Sequence, residues 1–225
     1  AFAQLSLAAA NLSRAIILLR HAAPTYARVQ PLVQAAPENG AGRRAPDEIA
    51  GAVTVRSVSF RYADDQPLVV SDLSFHVDPG EFVAIVGATG AGKSTVLRLL
   101  LGFEKLAAGE IFYDDQPLSS LNTDGLRQQV AAVLHDTSLI DGDVLTNISG
   151  GRDLDPETVW QAARLAGIAE DIRRMPLGLY TSIGRSSALT TGQRQRLLIA
   201  RALAAQPRIL LLDDALCALD DRAQT

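Results

Sequence analysis

A glycine-rich loop that ends in a lysine constrains the fold of this 225-residue chain more than any other feature. Gly87 and Gly92 stand five positions apart, and Lys93 and Ser94 follow directly. A chance match to this spacing in a chain of this length has odds on the order of one in a hundred. The pattern is typical of a loop whose backbone amides turn toward a phosphate group.

The residues on either side of this loop favour the same interpretation. The apolar run Phe82–Val86 precedes the loop and predicts a strand buried on both faces. Apolar residues at helical spacing follow from Ser94 to Leu101. A helix that begins at the loop adds the partial positive charge of its N-terminus to the anion site. The predicted order is therefore strand, phosphate loop and helix, and the alternative is a glycine-rich turn that binds nothing.

Two adjacent aspartates provide the acidic partner that such a loop needs. Asp213 and Asp214 follow the apolar run Ile209–Leu212, and the end of a strand is where such folds hold magnesium. We expect Lys93 to reach the outer phosphates, and Ser94 with Asp213 to hold Mg²⁺. Asp214 is then placed to orient or deprotonate the attacking water. Taken alone, the aspartate pair is equally typical of a solvated turn.

Composition places the chain among packed globular proteins and excludes several functions. Apolar residues make up 48% and charged residues 20% of the chain, which excludes disordered and fibrous classes. The net charge of −4 gives no overall attraction to nucleic acid, so any anion must be held locally. Cys217 is the only cysteine, which excludes an internal disulfide and a thiolate zinc site and favours a reducing compartment.

The first 46 residues differ from the remainder, because they carry five arginines and one glutamate. Within them, the apolar run 15–19 lies between Arg14 and Arg20 and falls short of the ~20 residues that cross a bilayer. It is interpreted either as the cytoplasmic end of a membrane helix or as an amphipathic soluble helix. Residues 36–51 contain prolines and glycines with few large apolar side chains, which predicts a linker.

The remaining sequence alternates between strand and helix patterns. Five further strands are predicted, around Val53–Phe60, Leu73–Val77, Ile111–Tyr113, Val130–Leu134 and Arg208–Leu212. A helix is predicted from Pro156 with Asp155 as its N-cap, and a second over Thr191–Ala204 after a capping threonine.

Several motifs follow the phosphate loop in a characteristic order: residues 190–201, then Asp213–Asp214, then Ala218–Asp220. This order resembles the nucleotide-binding domain of ABC transporters, and the resemblance covers about residues 52–225. Within that superfamily the chain is most similar to the exporter type. Stretches such as Gly102–Lys105 and Arg194–Arg201 resemble the ATP-binding subunits of bacterial peptide or bacteriocin (NHLM-type) export systems.

The resemblance implies an α/β fold of the ABC-type P-loop NTPase class. Its expected parts are a mixed sheet core, antiparallel edge strands and a helical subdomain at about residues 137–190. Residues 1–35 are then expected to be the end of the last transmembrane helix with a cytoplasmic extension, and 36–51 a linker. Residues 52–225 are expected to be the ATP-binding domain, with its C-terminal part missing.

The resemblance also implies roles for individual residues. The phosphate loop is expected to hold ATP through Gly87, Thr89, Gly90, Ala91, Gly92, Lys93, Ser94 and Thr95. Tyr62 is implied to stack on adenine, and Asp220 to lie in a loop that signals across a dimer interface. The signature segment, which grips the γ-phosphate of ATP bound to the other subunit, comprises Thr190, Thr191, Gly192 and Gln193. Such domains pair head to tail around two ATP molecules.

Four departures from the family pattern fall on residues that carry the chemistry. Asp214 stands where the family has glutamate, and its shorter side chain pulls the carboxylate back from the attacking water. His135 replaces the glutamine that contacts metal and water, and its imidazole titrates near neutral pH. Thr191 replaces a glycine, where a positive φ or close phosphate approach would be hindered. Arg185 replaces a glutamate, and the stretch from Arg185 to Leu189 is one residue short.

These features predict a subunit that binds MgATP well and hydrolyses it slowly. The expected catalytic residues are Lys93, Asp214 and His135. The expected metal ligands are Ser94, Asp213 and His135. We expect it to drive export of a peptide or other cargo across the bacterial inner membrane, with the ATP-binding domain on the cytoplasmic side. Its expected partners are its own transmembrane domain and a second ABC subunit, with a heterodimer favoured over a homodimer and no nucleic acid. The alternatives are a degenerate regulatory or structural subunit and a soluble ABC ATPase.

Overall fold

The computed structural model describes residues 44–184 and 189–214, together with residues 2, 4, 20, 24, 26–30 and 33. The chain divides into two compact units, residues 1–41 and 42–225. The described residues of the first unit are helical and exposed. Among the residues described, no helix combines the length and the apolar character that crossing a bilayer requires.

The described part of the second unit contains eight strands and six α-helices. The strands are β1 Val53–Phe60, β2 Val70–Val77, β3 Ala108–Tyr113, β4 Gln116–Pro117, β5 Val130–Val133, β6 Gly142–Asp143, β7 Ser182–Ile183 and β8 Ile209–Leu212. The helices are α1 Lys93–Leu100, α2 Thr123–Gln129, α3 Val144–Ser149, α4 Pro156–Leu165, α5 Ala169–Arg174 and α6 Thr191–Ala204. Short 3-10 turns lie at Leu118–Ser120 and Gly178–Tyr180.

An antiparallel sheet with strand order β2-β1-β3-β4 supports the phosphate loop. Val53 and Val55 of β1 alternate into the core, and the three-residue step to Val58 coincides with a register shift against β2. The sheet packs on α1, which directly follows the loop. The buried Tyr113 hydroxyl of β3 donates a hydrogen bond to Leu100 O at 2.6 Å, and burial raises the pKa of this phenol. The end of α1 is thereby fixed to the sheet.

A second, parallel pair of strands carries the aspartates. β5 and β8 pair in register from Val130 with Ile209 to Val133 with Leu212. The predicted strands at 130–134 and 208–212 are thus confirmed, and their carboxyl ends lie at the same edge.

The run Phe82–Val86 is the main difference from the sequence prediction. It was expected to form a strand buried on both faces, but none of its residues belongs to a strand, and Phe82 and Val86 are 83% and 87% exposed. A strand buried on both faces needs hydrogen-bonded neighbours and covering elements. Among the described residues, β5 and β8 pair only with each other. Apolar composition shows that burial would be favourable, but it does not supply the neighbouring strand.

Helices α3, α4, α5 and α6 form a second core, separate from that of the antiparallel sheet. Its fully buried members include Ile148, Val159 and Leu197. The Asp155 carboxylate accepts a hydrogen bond from Thr158 N at 2.9 Å, so this aspartate caps α4 as predicted. β6 and β7 pair at the edge of this helical region.

Residues 44–51 belong to the segment predicted as a linker, and they lie against the antiparallel sheet. Ile49 is buried, and its backbone N donates to Gln129 Oε1 at 2.9 Å. The Asp114 carboxylate accepts hydrogen bonds from Gly51 N at 3.2 Å and Ala52 N at 2.8 Å. Packing of the second unit therefore begins before Ala52.

Candidate functional site

The phosphate loop, residues 87–94, leads directly into α1, and its residues are exposed or half-buried. Gly90 and Gly92 have φ angles of 82° and 89°, and Ala91 N donates to Ala88 O at 3.1 Å. Gly92 is the N-cap of α1 and offers no side-chain hydrogen bond. The first amides of α1 are therefore available to an anion, which the positive end of the helix dipole also attracts. Gly87 and Thr89 are exposed on the same loop.

Lys93 extends back over the loop. Its Nζ donates to Gly87 O at 3.0 Å and to Ala88 O at 3.1 Å. Both acceptors are neutral carbonyls, so these two bonds leave the positive charge uncompensated. The next residue, Ser94, is exposed at the start of α1. The loop thus presents an ammonium group, free amides and a hydroxyl at one place.

Gly92 is required for a second reason besides its backbone angle. A Cβ at this position would lie 3.2 Å from Val69 O and 3.3 Å from Val69 Cγ1. The loop therefore approaches the start of β2 closely. A cavity of about 310 Å³ lies beside this contact, lined among others by Leu73, Phe75, Ile85 and Lys93.

Tyr62 follows the end of β1 and contacts α1, the helix that the loop precedes. Its ring meets Phe60 edge to face, with centroids 4.9 Å apart, and its hydroxyl shares a hydrogen bond of 3.0 Å with Thr95 Oγ1. Tyr62 remains 53% exposed, whereas Thr95 is 6% exposed. The sequence placed both residues at the nucleotide but did not predict that they touch. The spacing of 33 residues between them gave no local signal.

His135, Asp213 and Asp214 lie together at the carboxyl edge of β5 and β8. Asp213 N donates to Val133 O at 2.9 Å, which continues the ladder beyond the strands. Asp213 is buried, whereas His135 and Asp214 are exposed. Asp214 has a φ of 49°, and its carbonyl accepts a hydrogen bond from Gln195 Nε2 at 3.4 Å. The Asp213 carboxylate is therefore buried at this edge, whereas the His135 imidazole and the Asp214 carboxylate are exposed to solvent.

The phosphate loop and this carboxyl edge are not bonded to each other. Within residues 44–184 and 189–214, no hydrogen bond or ion pair joins Lys93 or Ser94 to Asp213 or His135. Phe82–Val86, which leads into the loop, likewise does not pair with β8.

The signature segment caps α6. Thr190 Oγ1 accepts from Gln193 N at 3.2 Å, and Gln193 Oε1 accepts from Thr190 N at 3.0 Å, which is a reciprocal capping box. Gln193 Nε2 also donates to the Asp171 carboxylate at 2.9 Å. Thr191 is the first helical residue and is absent from the positive-φ residues, so no left-handed conformation is required there. The amides of Thr191 and Gly192 lie in the first turn of α6, where amides have no intrahelical acceptor.

A buried polar network that the sequence did not indicate ties α6 to the loop after His135. Arg201 donates to Asn147 O at 2.6 Å, to Asn147 Oδ1 at 2.7 Å and to Ser138 O at 3.2 Å. The fully buried Asn147 donates in turn to Ile140 O and Asp143 O, each at 2.9 Å. Burial lowers the pKa of the Arg201 guanidinium. The sequence feature that could have indicated this network is the position of Arg201 among the buried apolar residues of α6.

Two predicted positions cannot be placed. Arg185 and Asp220 lie outside the described residues, as do most of residues 1–35.

Known proteins resemble this chain in sequence and in fold. The family model described as "ABC transporter" matches residues 70–217. The chain is 39% identical over 197 residues to the ATP-dependent lipid A-core flippase of Bordetella pertussis, covering 86% of this chain and 32% of that protein. It is 37% identical over 195 residues to the exotoxin translocation ATP-binding protein PaxB of Pasteurella aerogenes, covering 86% and 27%.

A solved structure extends the similarity to three dimensions. The structure of a bacterial Atm1-family ABC exporter with ATP bound has a TM-score of 0.81 and 36% identity, covering 91% of this chain and 36% of that one. The chain thus spans about a third of the length of the proteins that it matches.

Proposed function

This chain belongs to the ABC transporter family, as the ATP-binding domain of an exporter, and on that basis we propose that it binds MgATP and hydrolyses it slowly to drive export. We propose a peptide as the cargo and the bacterial cytoplasmic membrane as the location. The ATP-binding domain then lies on the cytoplasmic side, joined to its own transmembrane domain and paired with a second ABC subunit. Nucleic acid has no part in this proposal.

The geometry of the phosphate loop around Lys93 carries this proposal. The ammonium lies against two neutral carbonyls, those of Gly87 and Ala88, beside an α1 N-terminus without a side-chain cap. Phosphate oxygens are better acceptors than these carbonyls, because a hydrogen bond between opposite charges is about twice as strong as a neutral one. A polyphosphate entering the loop therefore competes well for Lys93 and gains the helix amides as donors.

The donor set also suits magnesium. Mg²⁺ usually takes one or two protein oxygen ligands and completes its shell with phosphates and waters. The exposed Ser94 hydroxyl and the Asp213 carboxylate are donors of this kind. When bound, Mg²⁺ supplies charge neutralisation on the outer phosphates. Ser94 and Asp213 then have the task of holding it, and Lys93 that of holding the phosphates.

Two residues support slow turnover. Asp214 is exposed at the carboxyl edge with a left-handed backbone, and its side chain is one methylene shorter than that of glutamate. A displacement of about 1 Å from the productive position can cost on the order of 10²-fold in rate. His135 supplies an imidazole where the resemblance implies the amide of a glutamine. Binding is thus better supported than hydrolysis.

The signature segment supports pairing with another subunit. The Thr190 hydroxyl accepts a hydrogen bond from Gln193 N and keeps its own proton to donate. With the first-turn amides of Thr191 and Gly192, it offers donors to a γ-phosphate held by a partner. Each composite site then combines the phosphate loop and catalytic groups of one chain with the signature segment of the other. We propose a heterodimer in which the partner's stronger catalytic groups face Thr190 and Thr191 of this chain. Each site then contains at least one departure from the family pattern, so turnover is slow even in the assembly.

The cargo proposal rests on the similarity of residues 102–105 and 194–201 to peptide exporters. The named relatives include a lipid A-core flippase and an exotoxin translocation protein. Stimulation of ATP turnover by a candidate peptide, with lipid A as the comparison, tests which class of cargo applies.

Calorimetry, ATP-turnover assays and an export assay on the full-length protein, alone and with its partner subunit, test the nucleotide proposal. We expect magnesium-dependent ATP binding, low turnover alone, and loss of both binding and export in Lys93→Ala. The matched control is Lys105→Ala, which removes the only other lysine at an exposed position and should change neither. Absence of magnesium-dependent binding in the wild type would overturn the proposal, and brisk turnover of the isolated subunit would contradict slow hydrolysis. Export that persists in Lys93→Ala would favour the structural role instead.

A further inference from the structure

We infer that Asp171 is a positioning residue for the signature segment, acting through the side-chain amide of Gln193. This inference rests on the proposed pairing with a second ABC subunit and deepens it. It names the group that sets the signature threonine, Thr190, for the γ-phosphate held by the partner. Asp171 lies on α5 and belongs to none of the motifs that the sequence indicated.

The Asp171 carboxylate determines which way the Gln193 amide points. Gln193 Nε2 donates to Asp171 Oδ1 at 2.9 Å, and Gln193 Oε1 accepts from Thr190 N at 3.0 Å. A glutamine can present either its oxygen or its nitrogen to a neighbour, but a carboxylate only accepts hydrogen bonds. Asp171 therefore holds the nitrogen end, which leaves the oxygen end for Thr190 N. Without this carboxylate, the amide can rotate so that two donors face each other and the bond to Thr190 N is lost.

The orientation of Gln193 in turn restrains the signature threonine. The bond from Thr190 N to Gln193 Oε1 and the bond of 3.2 Å from Gln193 N to Thr190 Oγ1 together close the capping box. Thr190 itself is exposed, so its position depends on these hydrogen bonds more than on packing. A change at Asp171 is thereby transmitted to the hydroxyl that is proposed to meet the phosphate.

Asp171 is suited to this task because α5 holds it in place. Its neighbours Ala169 and Ile172 are buried in the helical core. Arg196 Nη1 lies 3.5 Å from Asp171 Oδ2 and donates to Gly167 O at 3.1 Å, which ties α6 to the turn before α5. The ion pair also offsets the negative charge of the carboxylate, which would otherwise repel a phosphate at the signature segment.

A purely structural ion pair between Asp171 and Arg196 is the competing explanation, and it makes a different prediction. It predicts a loss of stability in Asp171→Ala that does not depend on Gln193 and does not involve the Thr190 amide. A role through Gln193 predicts that Asp171→Ala loosens the Thr190 amide, and that this effect disappears once the glutamine amide has been removed. A double-mutant cycle distinguishes the two cases.

The first measurement is hydrogen exchange at the Thr190 amide in the nucleotide-free full-length protein, by mass spectrometry with fragmentation to single residues. The proteins are the wild type, Asp171→Ala, Gln193→Ala, the double variant and, as the matched control, Glu170→Ala. Glu170 is the neighbouring carboxylate of α5, and it forms an exposed ion pair with Arg173.

Loss of one hydrogen bond corresponds to about fivefold in the equilibrium between closed and open amide. We therefore expect exchange at Thr190 N to rise about fivefold in both single variants, to rise no further in the double variant, and to stay unchanged in Glu170→Ala. Thr158 N, which Asp155 caps at the start of α4, is the internal reference and should be unchanged throughout.

The second measurement is ATP turnover of the assembled protein. Asp171→Ala should lower kcat about fivefold, and adding it to Gln193→Ala should lower kcat no further. Magnesium-dependent ATP affinity of the isolated subunit should be unchanged in Asp171→Ala, because that affinity depends on the phosphate loop. Thermal unfolding of each variant without nucleotide verifies the fold, since Asp171 and Gln193 are half-buried helical positions that accept alanine.

Unchanged exchange at Thr190 in Asp171→Ala, or an equal effect of this substitution with and without Gln193, would overturn the inference while leaving the proposed function intact. Raised exchange with an unchanged kcat would overturn the role of Asp171 toward the phosphate. Failure of the wild type to bind MgATP, or to turn it over with its partner, would overturn the proposed function and the catalytic part of this inference with it.

Discussion

The two left-handed glycines of the phosphate loop allow backbone strain to be separated from packing. Gly90 and Gly92 have φ angles of 82° and 89°, so an alanine at either position is strained by about 1–2 kcal/mol. A Cβ at Gly90 meets nothing within 4 Å, whereas one at Gly92 lies 3.2 Å from Val69 O. Forcing a methyl group into such a contact costs about 1 kcal/mol or more. Alanine also restricts the unfolded chain, but equally at both positions.

Gly92→Ala is therefore expected to lower the free energy of unfolding by about 1 kcal/mol more than Gly90→Ala. Urea unfolding without nucleotide measures both values under the same conditions, and an unchanged slope with denaturant confirms that the two proteins unfold alike. Equal destabilisation, within about 0.3 kcal/mol, would refute the close packing of the loop on Val69, since that contact and the N-cap position of Gly92 both predict the larger loss at Gly92.

Three further outcomes follow from the structure. Arg201→Met removes the donor to Asn147 O and one of the two donors to Asn147 Oδ1, and it should lower the unfolding free energy by about 1–3 kcal/mol. Arg164→Met, at an exposed ion pair, should cost less than about 1 kcal/mol by urea unfolding. Hydrogen bonds from Thr146 lower the pKa of the Asp143 carboxyl. The contribution of this carboxylate to the free energy of unfolding is therefore present above the ordinary aspartate pKa and is lost as pH falls through the folded-state pKa. The stability advantage of the wild type over Asp143→Asn should accordingly shrink below about pH 4. Asp214→Glu restores the longer carboxylate and should raise ATP turnover of the assembled protein by about 10- to 100-fold with little change in ATP affinity; unchanged turnover would show that Asp214 does not limit hydrolysis.

Features that depend on near neighbours were predicted from the sequence. The loop at 87–94, the N-caps Asp155 and Thr190, and the extent of α6 all follow from residues within a turn of one another. Strands β1, β2, β5 and β8 followed from the alternation or continuity of apolar residues. In each case the interaction that determines the structure spans a few positions, so the local pattern contains it.

Only the tertiary structure determined the contacts between residues that are far apart in the sequence. Tyr62 meets Thr95 across 33 residues, and Arg201 meets Asn147 across 54. Phe82–Val86 has the composition of a buried strand, yet it lies outside the sheets, because pairing needs a neighbouring backbone as well as apolar side chains. The chain's local pattern therefore determined which glycines and polar groups stand in the loop at 87–94. Packing between distant segments decided where those groups stand, since the free energy of burial and pairing belongs to both partners of a contact.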